Sequence, residues 1–170
     1  KELTDFSNRY KVLLAEHAKR ISDYFEMTCY NLVIRYYEKK GYELTVQNLQ
    51  GGKFKFKCCP TGLLKNFSYF KATKIVEQGN EDVVFVYHNA TTQSAFDDKV
   101  FTTPDIVVSK TDNPAETKDY YSTKKALSYI PKESLVSFCE AKHLTPFPEL
   151  MVNFIGMVHE LKPDCVSDDE

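Results

Sequence analysis

No apolar run in this chain approaches the roughly 20 residues a membrane-spanning helix needs, which excludes a transmembrane helix and a membrane partner. The N-terminal residues lack the basic, apolar, small-residue series of a secretory signal. A cytoplasmic protein is therefore expected. Five cysteines, at positions 29, 58, 59, 139 and 165, are an odd number and show no C-x-x-C spacing. No histidine stands at a ligand-like interval from them. That argues against a zinc site and against a disulfide framework, and leaves thiols mostly buried in a reducing compartment. Internal repeats and low-complexity tracts are also missing. Tryptophan is absent, so the aromatic content is Phe and Tyr alone.

What is present reads as globular. Apolar residues make up 42% of the chain and aromatic ones 14%, a composition that supports a packed core rather than disorder. A length of 170 residues suits a single domain, 1–170. The net charge of −2 predicts no polyanion partner by itself, but its distribution is uneven. Residues 1–80 hold 14 Lys/Arg against 8 Asp/Glu, and residues 81–170 hold 8 against 16. A basic half beside an acidic half fits a phosphate-binding face next to a metal-binding pocket. Two solvated surfaces account for it as well.

The hydrophobic periods place the elements. Residues 7–39 carry apolar residues at helical steps, from Leu13, Leu14 and Ile21 through Tyr24, Phe25, Cys29, Leu32 and Val33 to Tyr36 and Tyr37. The length favours a break near Ser22–Asp23, and Gly41 supplies the stop. The period then drops to two. Strands are expected at Tyr42–Leu49, Lys53–Cys59, Phe67–Val76, Asp82–His88 (continuing towards Phe96), Val100–Ser109 with Pro104 inside it, and Leu135–Lys142. Lys53, Lys55 and Lys57 alternate with Phe54 and Phe56, which predicts a half-buried strand with a basic outer face. Such a face suits contacts to a nucleic-acid backbone, or an edge strand protected by lysine. Residues 110–133 are polar and turn-rich, with a short helix expected around Glu116–Leu127. A last helix is predicted from Thr145 to the stop at Pro163, its buried stripe being Leu150, Phe154, Met157, Val158 and Leu161. Residues 164–170 read as a flexible tail. The fold class is α/β, with a mixed central sheet flanked by a long N-terminal and a C-terminal helix.

Two apolar strands end in charge. Thr-Thr-Pro-Asp-Ile-Val-Val holds Asp105, and Val-Ser-Phe-Cys-Glu-Ala-Lys holds Glu140 and Lys142. Period two puts Glu140 and Lys142 on one face and Ala141 on the other. Half-buried carboxylates cost several kcal/mol unless paired or metal-bound, and a divalent cation is one way to compensate them. The pattern Pro104-Asp105 … Glu140-Ala141-Lys142 resembles the signature of the PD-(D/E)xK nuclease superfamily, the restriction-endonuclease-like fold. Phe25-Glu26, the apolar helix after it, Gly41-Tyr42 and the following strand look like the first helix and strand of that fold. The resemblance spans roughly residues 20–162 in element order and only about four residues in motif. It departs from the superfamily in two ways. The gap of 35 between Asp105 and Glu140 makes residues 110–133 an insertion, and the strand that normally follows the second helix is expected to be absent, supplied elsewhere or truncated away.

The resemblance implies Mg²⁺ or Mn²⁺ on Asp105, Glu140 and the Ala141 carbonyl, with Glu26 as a further acidic ligand and Glu16 and Glu38 as rivals for that place. Lys142 would orient the attacking water and steady the phosphate charge. The implied activity is hydrolysis of a nucleic-acid phosphodiester, DNA favoured, by a single domain or within a homodimer or larger assembly. The alternative is a catalytically silent nuclease-like module that binds nucleic acid or protein. His143, by strand alternation, faces away from Lys142. Glu149 and Asn153 stand one helical turn apart at the expected rim.

Overall fold

A computed structural model describes residues 2–10, 20–117, 126–142 and 148–165. Helix α1 (Glu2–Tyr10) is followed by α2 (Ile21–Lys39). The strands are β1 (Glu43–Gln47), β2 (Tyr69–Ile75), β3 (Glu81–His88), β4 (Thr92–Gln93), β5 (Phe101–Thr102), β6 (Ile106–Ser109), β7 (Ala115–Thr117), β8 (Leu127–Tyr129) and β9 (Leu135–Cys139). Helix α3 spans Pro148–Leu161. The main sheet has the order β1-β2-β3-β6-β9. All four of its pairings are antiparallel, so the sheet is not mixed as expected. A parallel pair needs a crossover of a dozen or more residues, usually an α-helix, and among the described residues no α-helix, only short 3-10 turns, stands between two strands of this sheet.

The sheet is buried on both faces, and alternation along β3 and β6 sorts the side chains. Val84, Val86, Ile106 and Val108 point towards α1 and α2, where they meet Phe6, Met27, Tyr30, Ile34, Phe54, Phe56 and Phe70. Phe85, Tyr87 and Val107 point the other way, onto Leu64, Ile130, Leu135 and Leu161. Tyr30 is fully buried on the first side and its hydroxyl donates to the Val86 carbonyl at 2.7 Å.

Several local expectations change. Arg20 caps α2, and its backbone N–H donates to the Asp23 carboxylate at 2.9 Å, so the helix starts close to the expected break. The buried face of α2 is Asp23, Met27, Tyr30, Asn31 and Ile34, whereas Ile21, Leu32 and Tyr36 are exposed. Apolar letters surround this helix, and a stripe counted from them alone misses that Asp23 and Asn31 share the inner face. Helix α3 buries Leu161 fully and Met157 and Val158 in part, but Phe154 is exposed. Segment 53–59 is no regular strand beyond an isolated Gln50–Lys53 bridge. Its alternation does bury Phe54 and Phe56, and Lys53 is exposed with Lys55 half-buried. Lys57, expected on the basic outer face, is buried.

Pro104 divides the expected long strand into β5 and β6, because proline has no N–H for the ladder. Of the short helix expected around Glu116–Leu127, residues 118–125 lie outside the described residues; the flanking β7 and β8 pair antiparallel. Pro163–Cys165 forms a short 3-10 turn, so residues 164 and 165 are not part of a tail as expected; residues 166–170 lie outside the described residues. His143, Thr145, Pro146, Leu13, Leu14 and Glu16 lie outside the described residues.

One surface cluster makes a testable pH prediction. Tyr42 and Lys110 both donate to Asp82, and hydrogen bonding from Lys110 and then Tyr42 lowers the Asp82 pKa. A carboxyl depressed in the folded state stabilises above its unfolded pKa of about 3.9 and loses that contribution as pH falls through its folded value. Asp82→Asn is therefore expected to be less stable than wild type at pH 7, by under about 1 kcal/mol for so exposed a pair. Urea melts at pH 7 and at pH 2 should show that gap closing. A gap unchanged between the two would remove the ionic explanation.

Candidate functional site

Three neighbouring strands end at one place. Register sets Ile106 opposite Cys139 and His88 opposite Ile106, so Asp105, Glu140 and Asn89 emerge together at that end of the sheet. The backbone ties them: the Asn89 N–H donates to the Asp105 carbonyl at 2.8 Å, and the Ala141 N–H donates to Asp105 Oδ2 at 2.7 Å. Lys142 Nζ lies 2.9 Å from Glu140 Oε2 and 3.6 Å from Asp105 Oδ2. The Asp105 and Glu140 side chains are 13% and 11% exposed, against 43% for Lys142. The carboxylates are thus largely withdrawn from water while the amine reaches it.

Helix α2 supplies the fourth predicted member. Glu26, in its second turn, accepts from Asn89 Nδ2 at 3.3 Å, and its Oε2 lies 3.8 Å from His88 Nε2. Burial raises the Glu26 pKa, and the Asp105 charge raises it further, so the two carboxylates feel each other across the site. Burial also pushes Glu140 up to about 7, reinforced by a shared hydrogen bond with Asp105 and opposed by Lys142. Burial works against the Lys142 charge, but the Glu140 hydrogen bond and the Asp105 charge together hold its pKa above the usual value. Several acids close together and short of solvent, with one cation among them, form a concentrated negative site.

Asp105, Glu140 and Lys142 therefore converge, and Glu26 lies beside them, in contact with Asn89 and His88. Ala141 is buried and contributes its N–H to Asp105. Glu38 is drawn away, accepting from Arg9 at 3.0 Å on the exposed side of α2. Two residues that sequence reasoning passed over also belong here. His88 is fully buried, with its ring edge-on to Tyr30 and Phe56. Among the described residues, its Nε2 is the one buried side-chain nitrogen or oxygen with no hydrogen-bond partner. Burial lowers its pKa to about 4, which keeps the imidazole neutral near pH 7. Asn89 adopts φ 50°, a left-handed conformation that asparagine tolerates better than most residues. A signal for both was present: Val-Val-Phe-Val-Tyr runs into His-Asn, a third apolar strand that ends in polar groups.

Among the described residues, no group of three or more His, Cys, Asp and Glu side chains is placed to hold a metal ion. Mg²⁺ needs only one or two carboxylates and keeps several waters; the carboxylates that could hold it here are Asp105 and Glu140, each within 4 Å of the Lys142 amine. The same described residues contain no helix long and apolar enough to cross a membrane. No protein-family model, curated protein or solved structure matches the chain significantly.

Proposed function

We propose that this protein is a metal-dependent nuclease of the PD-(D/E)xK type, hydrolysing a phosphodiester of nucleic acid, with DNA as the favoured substrate. The observation that carries the reading is the meeting of Asp105, Glu140 and Lys142 at adjacent strand ends, though the two acids stand 35 positions apart in sequence. Asp105 and Glu140 would hold Mg²⁺ or Mn²⁺, with Glu26 at the edge of the same site. The ion, when bound, supplies Lewis-acid stabilisation of charge on the phosphoryl oxygens.

The remaining chemistry belongs to side chains. Lys142, the exposed cation of the set, faces incoming substrate and can hold a water or a phosphoryl oxygen by hydrogen bonding. Ala141 N–H holds Asp105 in place, so one carboxylate oxygen is fixed before substrate arrives. The fold-level reading that goes with this function is the restriction-endonuclease-like arrangement, with residues 110–133 as an addition.

The test is supercoiled plasmid incubated with the purified chain in Mg²⁺, in Mn²⁺ and in EDTA. Nicking is expected with either metal, none in EDTA, and none with Asp105→Asn. DNA binding without cleavage under all conditions would favour the silent-module alternative. Cleavage that survives Asp105→Asn would place the chemistry elsewhere.

A further inference from the structure

Lys57 occupies an unusual position for a lysine. It is 2% exposed, and its ammonium donates to three backbone carbonyls: Cys59 at 2.8 Å, Pro60 at 2.7 Å and Asn89 at 2.6 Å. Its three N–H donors match three acceptors, so the buried charge is hydrogen-bonded in full. Two of those carbonyls lie in its own segment. The third belongs to the left-handed residue that ends β3 at the candidate site.

Asn89 is held from three directions. Its N–H donates to the Asp105 carbonyl at 2.8 Å, its carbonyl accepts from Lys57, and its side chain donates to Glu26 at 3.3 Å. A non-glycine residue at positive φ costs on the order of 1–3 kcal/mol and persists where its surroundings over-determine it. The Lys57 segment also braces the neighbouring residue, because the Phe56 ring meets the His88 ring edge-on at 5.4 Å. Burial lowers the Lys57 amine to about 8, so the group is still mainly charged at neutral pH.

We infer that Lys57 is a positioning residue for the site, its ammonium holding the Asn89 carbonyl and so fixing the bend that aims Asn89 and His88 at Glu26. It touches neither substrate nor metal. The kinetic consequence rests on the nuclease reading, while the structural consequence stands without it.

Lys57→Met keeps the side-chain volume and removes the donors. In NMR spectra of the full chain, the Asn89 side-chain amide and His88 ring signals should move, while the Thr45 and Thr73 amides of β1 and β2 stay in place. In plasmid cleavage, kcat should fall about tenfold or more with KM within about twofold, because misplacement of site groups acts on the chemical step. Unmoved Asn89 and His88 signals would overturn the inference, as would wild-type kcat in a variant that folds. If the wild-type chain cleaves no nucleic acid, the nuclease reading fails and the NMR comparison alone decides the role of Lys57. If Lys57→Met does not fold, the wild-type ammonium decides it. Slow hydrogen exchange with a cross-peak to Asn89 supports the tether, and exchange as fast as in exposed lysines overturns it.

Discussion

Replacing Lys142 with alanine is expected to reduce metal-dependent cleavage by about a hundredfold or more, without weakening the binding of the metal. The first half follows from where the amine lies. It is 2.9 Å from Glu140 and 3.6 Å from Asp105, yet 43% of the side chain reaches solvent, so it is the cation an incoming phosphate meets. Removing one preorganised donor from a site of this kind typically costs about 10²–10³ in rate. The second half follows from charge. Lys142 neutralises part of the Asp105–Glu140 pair, so its loss leaves the carboxylates more negative and divalent affinity should hold or rise. Titration calorimetry with Mn²⁺ beside a plasmid-nicking time course separates the two effects. A variant that cuts at the wild-type rate would dismiss Lys142 from the chemistry, and one that loses the metal as well would make its role structural.

Phe70→Ala is expected to destabilise the protein by about 3–5 kcal/mol, the usual range for emptying a fully buried aromatic site. Phe70 is 0% exposed in β2. Its ring centroid lies 5.2 Å from Phe54, 6.0 Å from Phe6 and 6.1 Å from Tyr30. It therefore joins α1, α2, segment 53–59 and the sheet at one point. With total stabilities of roughly 5–15 kcal/mol, such a loss takes a large share of the folding free energy. Ile75→Ala at the exposed end of the same strand provides the contrast, because that side chain is 62% exposed. It should change stability by no more than about 0.5 kcal/mol. Urea denaturation of both variants checks the pair. Similar small losses would mean that the aromatic cluster is not where stability is concentrated.

Phe70 and Lys142 differ in how far the sequence marked them. Phe70 lies in the strand expected at Phe67–Val76, but nothing in that run singled it out as core, since adjacent Tyr69 and Phe70 point to opposite faces. Lys142 was legible because it ends a strand otherwise written in core residues, where a charge needs a partner or a job. His88 carried the same mark and was passed over, since a lone histidine after a tyrosine reads as an ordinary strand end. Its Nε2 becomes notable only when the surrounding atoms supply no hydrogen bond. Lys57 misled in the opposite direction. The Lys-Phe alternation implied an outer basic face, but segment 53–59 leaves regular strand geometry and turns that amine inward onto three carbonyls.

Local chemistry, by itself, determined the elements that carry the site: a helix bearing Glu26, a strand entered through Pro104-Asp105 and a strand that runs into Glu140 and Lys142. Periodicity and the mismatch of charge with apolar context are nearest-neighbour properties, and a sequence records those directly. Only the tertiary structure decided that β3, β6 and β9 lie side by side, antiparallel, with their functional ends together. Strand order depends on long-range pairing and on packing against both faces of the sheet. Several orders bury the same apolar residues, so the pattern of letters alone does not choose among them. The same long-range packing placed His88 and Asn89 against Glu26, and Lys57 behind them, from segments with no shared local signal.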